Sequence, residues 1–295
     1  MTETLGSTAE VREVRLNAGA AVLSGLLARP SEVPPKAVVL ALPGGGMRAG
    51  YFHGPAHRDL SLLDLGASLG YAVLALDRPG YGSSAATAPQ GMTLADQAST
   101  VLTALAGFAA AHEIGAGFFV VAHSYGGKLA LAVAAESGGT ELLGLDISGC
   151  GREYAVDPRE HLTGRSTWRL HWGPGRLYPP GTFRSDQSPV APMPVREVLD
   201  AASWPGRIAE LAPRVRVPVR FTFAEYERWW RHDAAAVEEL AALFAHAPEV
   251  VIARQANAGH NISLGWAARA YHLRALAFAE DCAAELAQAR VRLPR

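Results

Sequence analysis

The run Val120-Val121-Ala122-His123-Ser124-Tyr125-Gly126-Gly127 ends an apolar stretch on a serine with small residues two positions before and after it. A serine hydroxyl attacks a carbonyl carbon only when a base takes its proton and donors receive the charge on the oxygen. The spacing is that of a sharp strand-to-helix turn, Gly-x-Ser-x-Gly with Ala122 in the first glycine position. Small neighbours are required there because the turn is tight and the helix packs close to the strand. Ser124 then stands at a helix N-terminus, where the dipole favours developing negative charge. The chemistry expected is nucleophilic attack on an acyl carbon. His123 adjoins the serine, and its side chain is expected to point away from Ser124 along the turn.

The elements that must carry this turn are legible on both sides of it. Val11 to Arg29 reads as two strands around Asn17-Ala18-Gly19, a hairpin signal. Ala37–Leu42, Tyr71–Leu76, Phe118–Ala122 and Leu142–Ser148 are continuous apolar runs, as for strands buried on both faces. Val217–Phe223 and Glu249–Ala253 are two further strands. Helical stretches alternate with them: Leu60–Leu69, Thr93–His112 with Thr93 as N-cap, Gly127–Glu136, Ala234–His246 and a long one over Asn261–Leu286. Strands alternating with helices give an α/β fold, with a mostly parallel central sheet and helices on both faces. Gly151 to Arg216 breaks the rhythm and holds nine prolines with Trp168, Trp172 and Trp204. It reads as an insertion over one end of the sheet. The division expected is a core of residues 1–150 and 205–295, with 151–204 as a cap.

At this point the chain resembles the α/β-hydrolase superfamily. The strand from Gly70-Tyr71 followed by Asp77-Arg78-Pro79-Gly80-Tyr81-Gly82-Ser83-Ser84 is similar to that family's D-x-x-G-x-G-x-S loop. Leu42-Pro43-Gly44-Gly45-Gly46 resembles its oxyanion loop, with Pro43 where His usually stands. The resemblance spans about Val11 to Leu286 and implies the α/β-hydrolase fold. It also implies two oxyanion donors, the N–H groups of Tyr125 and Gly45, with Gly46 or Met47 as alternates to the latter. For the base it implies a histidine after the last strand. Of the ten histidines, His260 in Asn257-Ala258-Gly259-His260-Asn261 has that place. The acid usually ends the strand that begins Val-Pro-Val. Register from Pro218 places Glu227 there, with Glu225 and Asp146 as the other candidates. Glutamate in place of aspartate is a mild departure, because the acid's role is to orient the imidazole and stabilise its charged form.

Substrate-pocket candidates are Gly46, Met47, Trp168, Trp172, Tyr178 and Trp229, with His171, Trp204 and Trp230 beside them. Aromatic walls favour an apolar, fairly bulky substrate; the same rings could equally fasten the insertion to the sheet. Tyr51 follows the oxyanion loop, at the entrance or on the surface.

Composition narrows the class without naming a reaction. The 295 residues are 49% hydrophobic and 19% charged, with net charge −1, which lacks the basic excess of a nucleic-acid binder. Two cysteines give no disulfide framework or zinc pattern, so a reducing, cytoplasmic setting is expected. No apolar run spans a membrane, and Met1 to Arg15 lacks the apolar core of a secretory leader. Only Lys36 and Lys128 are lysines among 27 basic residues, a habit of GC-rich bacterial genomes. No metal or organic cofactor is signalled, and the partner expected is a small-molecule substrate. The leading expectation is a serine hydrolase of the ester or thioester class. A non-hydrolytic tailoring enzyme on the same fold, or a receptor that keeps the pocket without turnover, are the alternatives.

Overall fold

A computed structural model describes residues 10–31, 33–138, 140–158, 168–183 and 188–292. Eight strands form one sheet: β1 (Arg12–Ala18), β2 (Ala21–Ala28), β3 (Val38–Leu42), β4 (Ala72–Leu76), β5 (Phe118–His123), β6 (Leu142–Ser148), β7 (Val219–Tyr226) and β8 (Val250–Gly259). Their order across the sheet is β1-β2-β4-β3-β5-β6-β7-β8. The β1–β2 hairpin and the β2–β4 pair are antiparallel, and the remaining pairs are parallel. Every residue of β3, β4, β5 and β6 is buried, which is why these strands read as unbroken apolar runs.

Helices cover both faces. On one lie α2 (Leu94–Ala111), α3 (Tyr125–Glu136), α6 (Trp204–Leu211) and α7 (Ala234–Ala242). On the other lie α1 (Leu62–Ser68) and α8 (Ala268–Arg292). The expected Thr93 cap is present: its side chain accepts from the Asp96 N–H at 3.2 Å. No helix among the described residues is long and apolar enough to cross a membrane.

Two elements differ from the sequence reading. β8 has ten residues and continues past Ala253 to Gly259. It is an edge strand, and Arg254-Gln255-Ala256-Asn257 tolerates polar residues because one side faces solvent. Asn257 is left-handed, with φ 53°, and its N–H donates to Glu225 Oε2 at 2.7 Å. The Asn261–Leu286 pattern splits into a 3-10 turn at Ile262–Leu264 and α8. Gly265 between them is extended, with φ −101° and ψ 168°, so the helix restarts.

The segment joining β6 to β7 includes α4 (Trp168–His171) and α5 (Val195–Ala201) before α6. Residues 159–167 and 184–187 of the expected cap lie outside the described residues. The described part reaches the loop after β3 through main-chain bonds: Ala191 N–H to the Gly46 carbonyl and Arg48 N–H to the Pro189 carbonyl, both 2.8 Å.

Candidate active site

Ser124 is held at φ 51° and ψ −114°, a conformation that costs a non-glycine residue on the order of 1–3 kcal/mol. The surroundings enforce it. The Ser124 N–H donates to the Ser148 carbonyl on β6 at 2.8 Å, and Gly127 N–H donates back to the Ser124 carbonyl at 2.9 Å. A Cβ on Gly126 would collide with the carbonyl oxygens of Leu42 and Pro43, and one on Gly127 with Ile147. The small residues of the motif are therefore demanded by the approach of α3 to β3 and β6. The Tyr125 N–H opens α3, where the first amides of a helix have no partner within it.

The loop after β3 has three glycines, and their amides have different partners. Gly46 N–H donates to the Tyr81 hydroxyl at 2.8 Å, and Met47 N–H to the Gly44 carbonyl at 3.2 Å. Among the described residues no acceptor takes the Gly45 or Tyr125 N–H. Beneath the loop, fully buried Arg78 donates to the carbonyls of Pro43 at 2.8 Å and Gly44 at 2.9 Å. Its guanidinium is paired with Glu197 of α5, which also accepts the Tyr81 hydroxyl at 2.7 Å. Burial opposes the Arg78 charge, but Glu197 outweighs it and keeps the group protonated.

His260 follows β8 directly and is 2% exposed. Its Nδ1 lies 2.8 Å from Glu227 Oε2 and 3.1 Å from Oε1. That contact assigns the Nδ1 proton and leaves Nε2 as an acceptor. Glu227 Oε1 also accepts the N–H groups of Arg228 at 3.0 Å and Trp229 at 2.9 Å. Burial pushes the Glu227 carboxyl up, yet His260 and the two amides prevail and hold it below the usual range. The other acid candidates are occupied elsewhere. Glu225 holds the bend at Asn257. Asp146, fully buried, accepts the Tyr271 hydroxyl at 2.8 Å and pairs with Arg220 at 2.5 Å.

Ser124, His260, Gly45 and Tyr125 line one small cavity of about 60 Å³, which Met47 and Trp229 also border. A larger adjoining cavity of about 460 Å³ shares Gly45, Met47, His171 and Met193 with it, and holds Gly46, Trp168 and Trp172. Tyr178, expected in the pocket, lines neither; its ring packs edge-on against Trp172, 5.3 Å between centroids, beside Gly259. Trp204 is a core residue whose Nε1 donates to the Gly151 carbonyl at 2.8 Å. His123 does not turn away from the site: its ring lines the Ser124 cavity, 4.7 Å from the His260 ring, and stacks on buried Tyr51. As the last residue of β5 it faces the same sheet end as the serine. Burial keeps the His123 imidazole neutral by lowering its pKa well below the usual value, and lowers His171 to about 4.

Among the cavity residues missed in the sequence are Lys128, Tyr154 and Met193. Lys128 had a usable signal, since it lies four residues after Ser124 and so on the same side of α3. The other two had none. Among the described residues no group of three or more His, Cys, Asp or Glu is arranged to hold a metal ion.

A family model described as the alpha/beta hydrolase family matches residues 38–288. No curated protein matches the chain. A soluble variant of monoglyceride lipase from Saccharomyces cerevisiae, solved with a substrate analog, has TM-score 0.65 at 15% identity, over 95% of this chain and 97% of that one. Proline iminopeptidase from Mycobacterium smegmatis has TM-score 0.62 at 17% identity, over 93% and 100%. A 2-hydroxy-6-oxo-6-phenylhexa-2,4-dienoate hydrolase from Rhodococcus sp. strain RHA1 has TM-score 0.61 at 20% identity, over 90% and 100%. At these identities the likenesses speak for the shared fold, and the family model, spanning most of the chain, carries the assignment: the chain belongs to the alpha/beta hydrolase family.

Proposed function

We propose that the protein is a serine hydrolase cleaving an ester or thioester of a small molecule. The observation that carries this reading is the buried Glu227–His260 pair opening onto the same cavity as Ser124. In this mechanism His260 Nε2 takes the Ser124 proton as Oγ attacks the carbonyl carbon. Glu227 holds the imidazole in the required tautomer and stabilises its charged form. The Gly45 and Tyr125 N–H groups, without an acceptor among the described residues, receive the oxyanion; each such donor is worth about 10²–10³ in rate. His260 then protonates the leaving group, and water attacks the acyl-enzyme by the same relay.

Segment 151–204 acts as the cap, and Trp168, Trp172 and Trp229 offer apolar walls to a fairly bulky substrate. Two free, buried cysteines, Cys150 and Cys282, support a reducing, cytoplasmic setting. Ser124→Ala is expected to lower kcat on p-nitrophenyl esters by on the order of 10⁴–10⁶ and to abolish labelling by a fluorophosphonate probe. Full activity in the variant, with the wild type unlabelled, refutes the reading.

A further inference from the structure

α3 brings a cation into the cavity of Ser124. Lys128 is one helical turn beyond the serine, about 6 Å along the axis at 1.5 Å per residue, and is 5% exposed. Its Nζ donates to the Tyr154 hydroxyl at 2.6 Å. It lies 5.2–5.6 Å from the ring centroids of Tyr125, Tyr154, Trp204 and Trp230. An ammonium has three N–H donors, and Tyr154 takes one.

Among the described residues no carboxylate pairs with Lys128. The nearby acids belong to α5 and are turned to other groups: Glu197 to Arg78 and Tyr81, and Asp200 to the Tyr125 hydroxyl at 3.4 Å. Both attract the ammonium without pairing with it, so the cost of burying its charge is only partly offset. Burial lowers the Lys128 ammonium to about 8, which leaves it mostly charged at neutral pH. The aromatic box screens the ammonium on its flanks but leaves it on the cavity wall beside Ser124 and His260.

We propose that Lys128 is a carboxylate-binding residue and that the substrate carries a carboxylate, which sits on its ammonium while the scissile carbonyl meets Ser124. The chemistry favours a carboxylate over a phosphate ester. A phosphate dianion needs more charge than one ammonium, and the other buried cation nearby, Arg78, is committed to Glu197 and two carbonyls. His123 and His171 are neutral and add no charge. The apolar remainder of the substrate then extends past Gly45 and Met47 into the adjoining cavity lined by Trp168 and Trp172. The inference rests on the Ser124 reading and narrows its substrate class.

Two matched pairs of esters test it. In one the acid is on the acyl side: p-nitrophenyl hemiglutarate against p-nitrophenyl valerate. In the other it is on the alcohol side: 4-(acetoxymethyl)benzoate against 4-methylbenzyl acetate. In at least one pair, wild-type kcat/KM is expected to be about tenfold or more higher for the carboxylated member, and Lys128→Met is expected to remove that preference. Neutral members preferred in both pairs, or a preference that survives in K128M, overturns the inference while hydrolysis of the neutral esters leaves the serine hydrolase reading standing. No hydrolysis of any ester and no fluorophosphonate labelling overturns both. If K128M does not fold, the wild type decides alone: 4-methylbenzoate should slow labelling of Ser124 and 4-methylbenzamide should not, and equal effects refute the proposal.

Discussion

Glu197 sits on α5, outside the set of residues assigned to the reaction, yet its carboxylate is the counter-charge of the guanidinium that supports the loop after β3, which holds the proposed oxyanion donor Gly45. In Glu197→Gln, Arg78 stays fully buried and keeps its bonds to Pro43 and Gly44 but loses its ion pair. Removing one partner of a buried pair costs about 3–5 kcal/mol. An amide oxygen still accepts from Arg78 or Tyr81, so the lower part of that range is expected. The second effect is on rate. Tyr81 is oriented by Glu197 and holds the Gly46 N–H, so its release frees the segment that places Gly45. Losing one donor's alignment costs about 10²–10³ in kcat. Urea unfolding with an unchanged m-value measures the first effect, and p-nitrophenyl ester kinetics the second. Replacing both charges, Arg78→Met with Glu197→Met, should recover most of the stability and little of the rate, because the buried charge is gone but the loop support is too. An E197Q protein within about 0.5 kcal/mol and twofold of wild type in rate would refute the coupling.

Two further predictions concern the site and its surroundings. Glu227→Gln should lower kcat by about 10³–10⁴ through the wrong histidine tautomer, whereas Asp146→Asn should reduce thermal stability and leave kcat within a few-fold; the reverse pattern would reassign the acid. Acid should destabilise the fold through its buried neutral histidines. His272, fully buried, is lowered to about 3, and His123 is also held well below its usual value. Both titrate near 6.5 when unfolded, so below that pH the unfolded chain binds protons that the native state refuses. Each residue then removes about 1.4 kcal/mol per pH unit, for His272 down to about pH 3. Urea midpoints at pH 7, 6 and 5 check this, and a flat profile would contradict it.

What the sequence disclosed follows from how local its causes are. The central strands were readable because burial on both faces leaves only apolar residues, and the turn at Ser124 because Gly126 and Gly127 answer to contacts a few ångströms away. Glu227 was readable from register, since β7 runs unbroken from Val219 to Tyr226 and delivers the next residue to His260. The end of β8 was hidden because an edge strand tolerates polar residues. Tyr178 was misplaced because an aromatic in an insertion packs against backbone as readily as it lines a pocket. Glu197 could not be found at all, since its partner Arg78 is 119 positions away and no periodicity links them.

The same residues that cover the site also brace it. Residues 189–197 contribute two main-chain bonds to the loop after β3, the Met193 side chain packed over Gly45, and the Glu197 carboxylate under Arg78. A movement that lifted this stretch to admit substrate would strip the Gly45 amide of its alignment in the same stroke. Under the proposed function access and reactivity would thus be interlocked: a form with this stretch lifted would be disarmed, and one with it seated would hold the Gly45 amide in place.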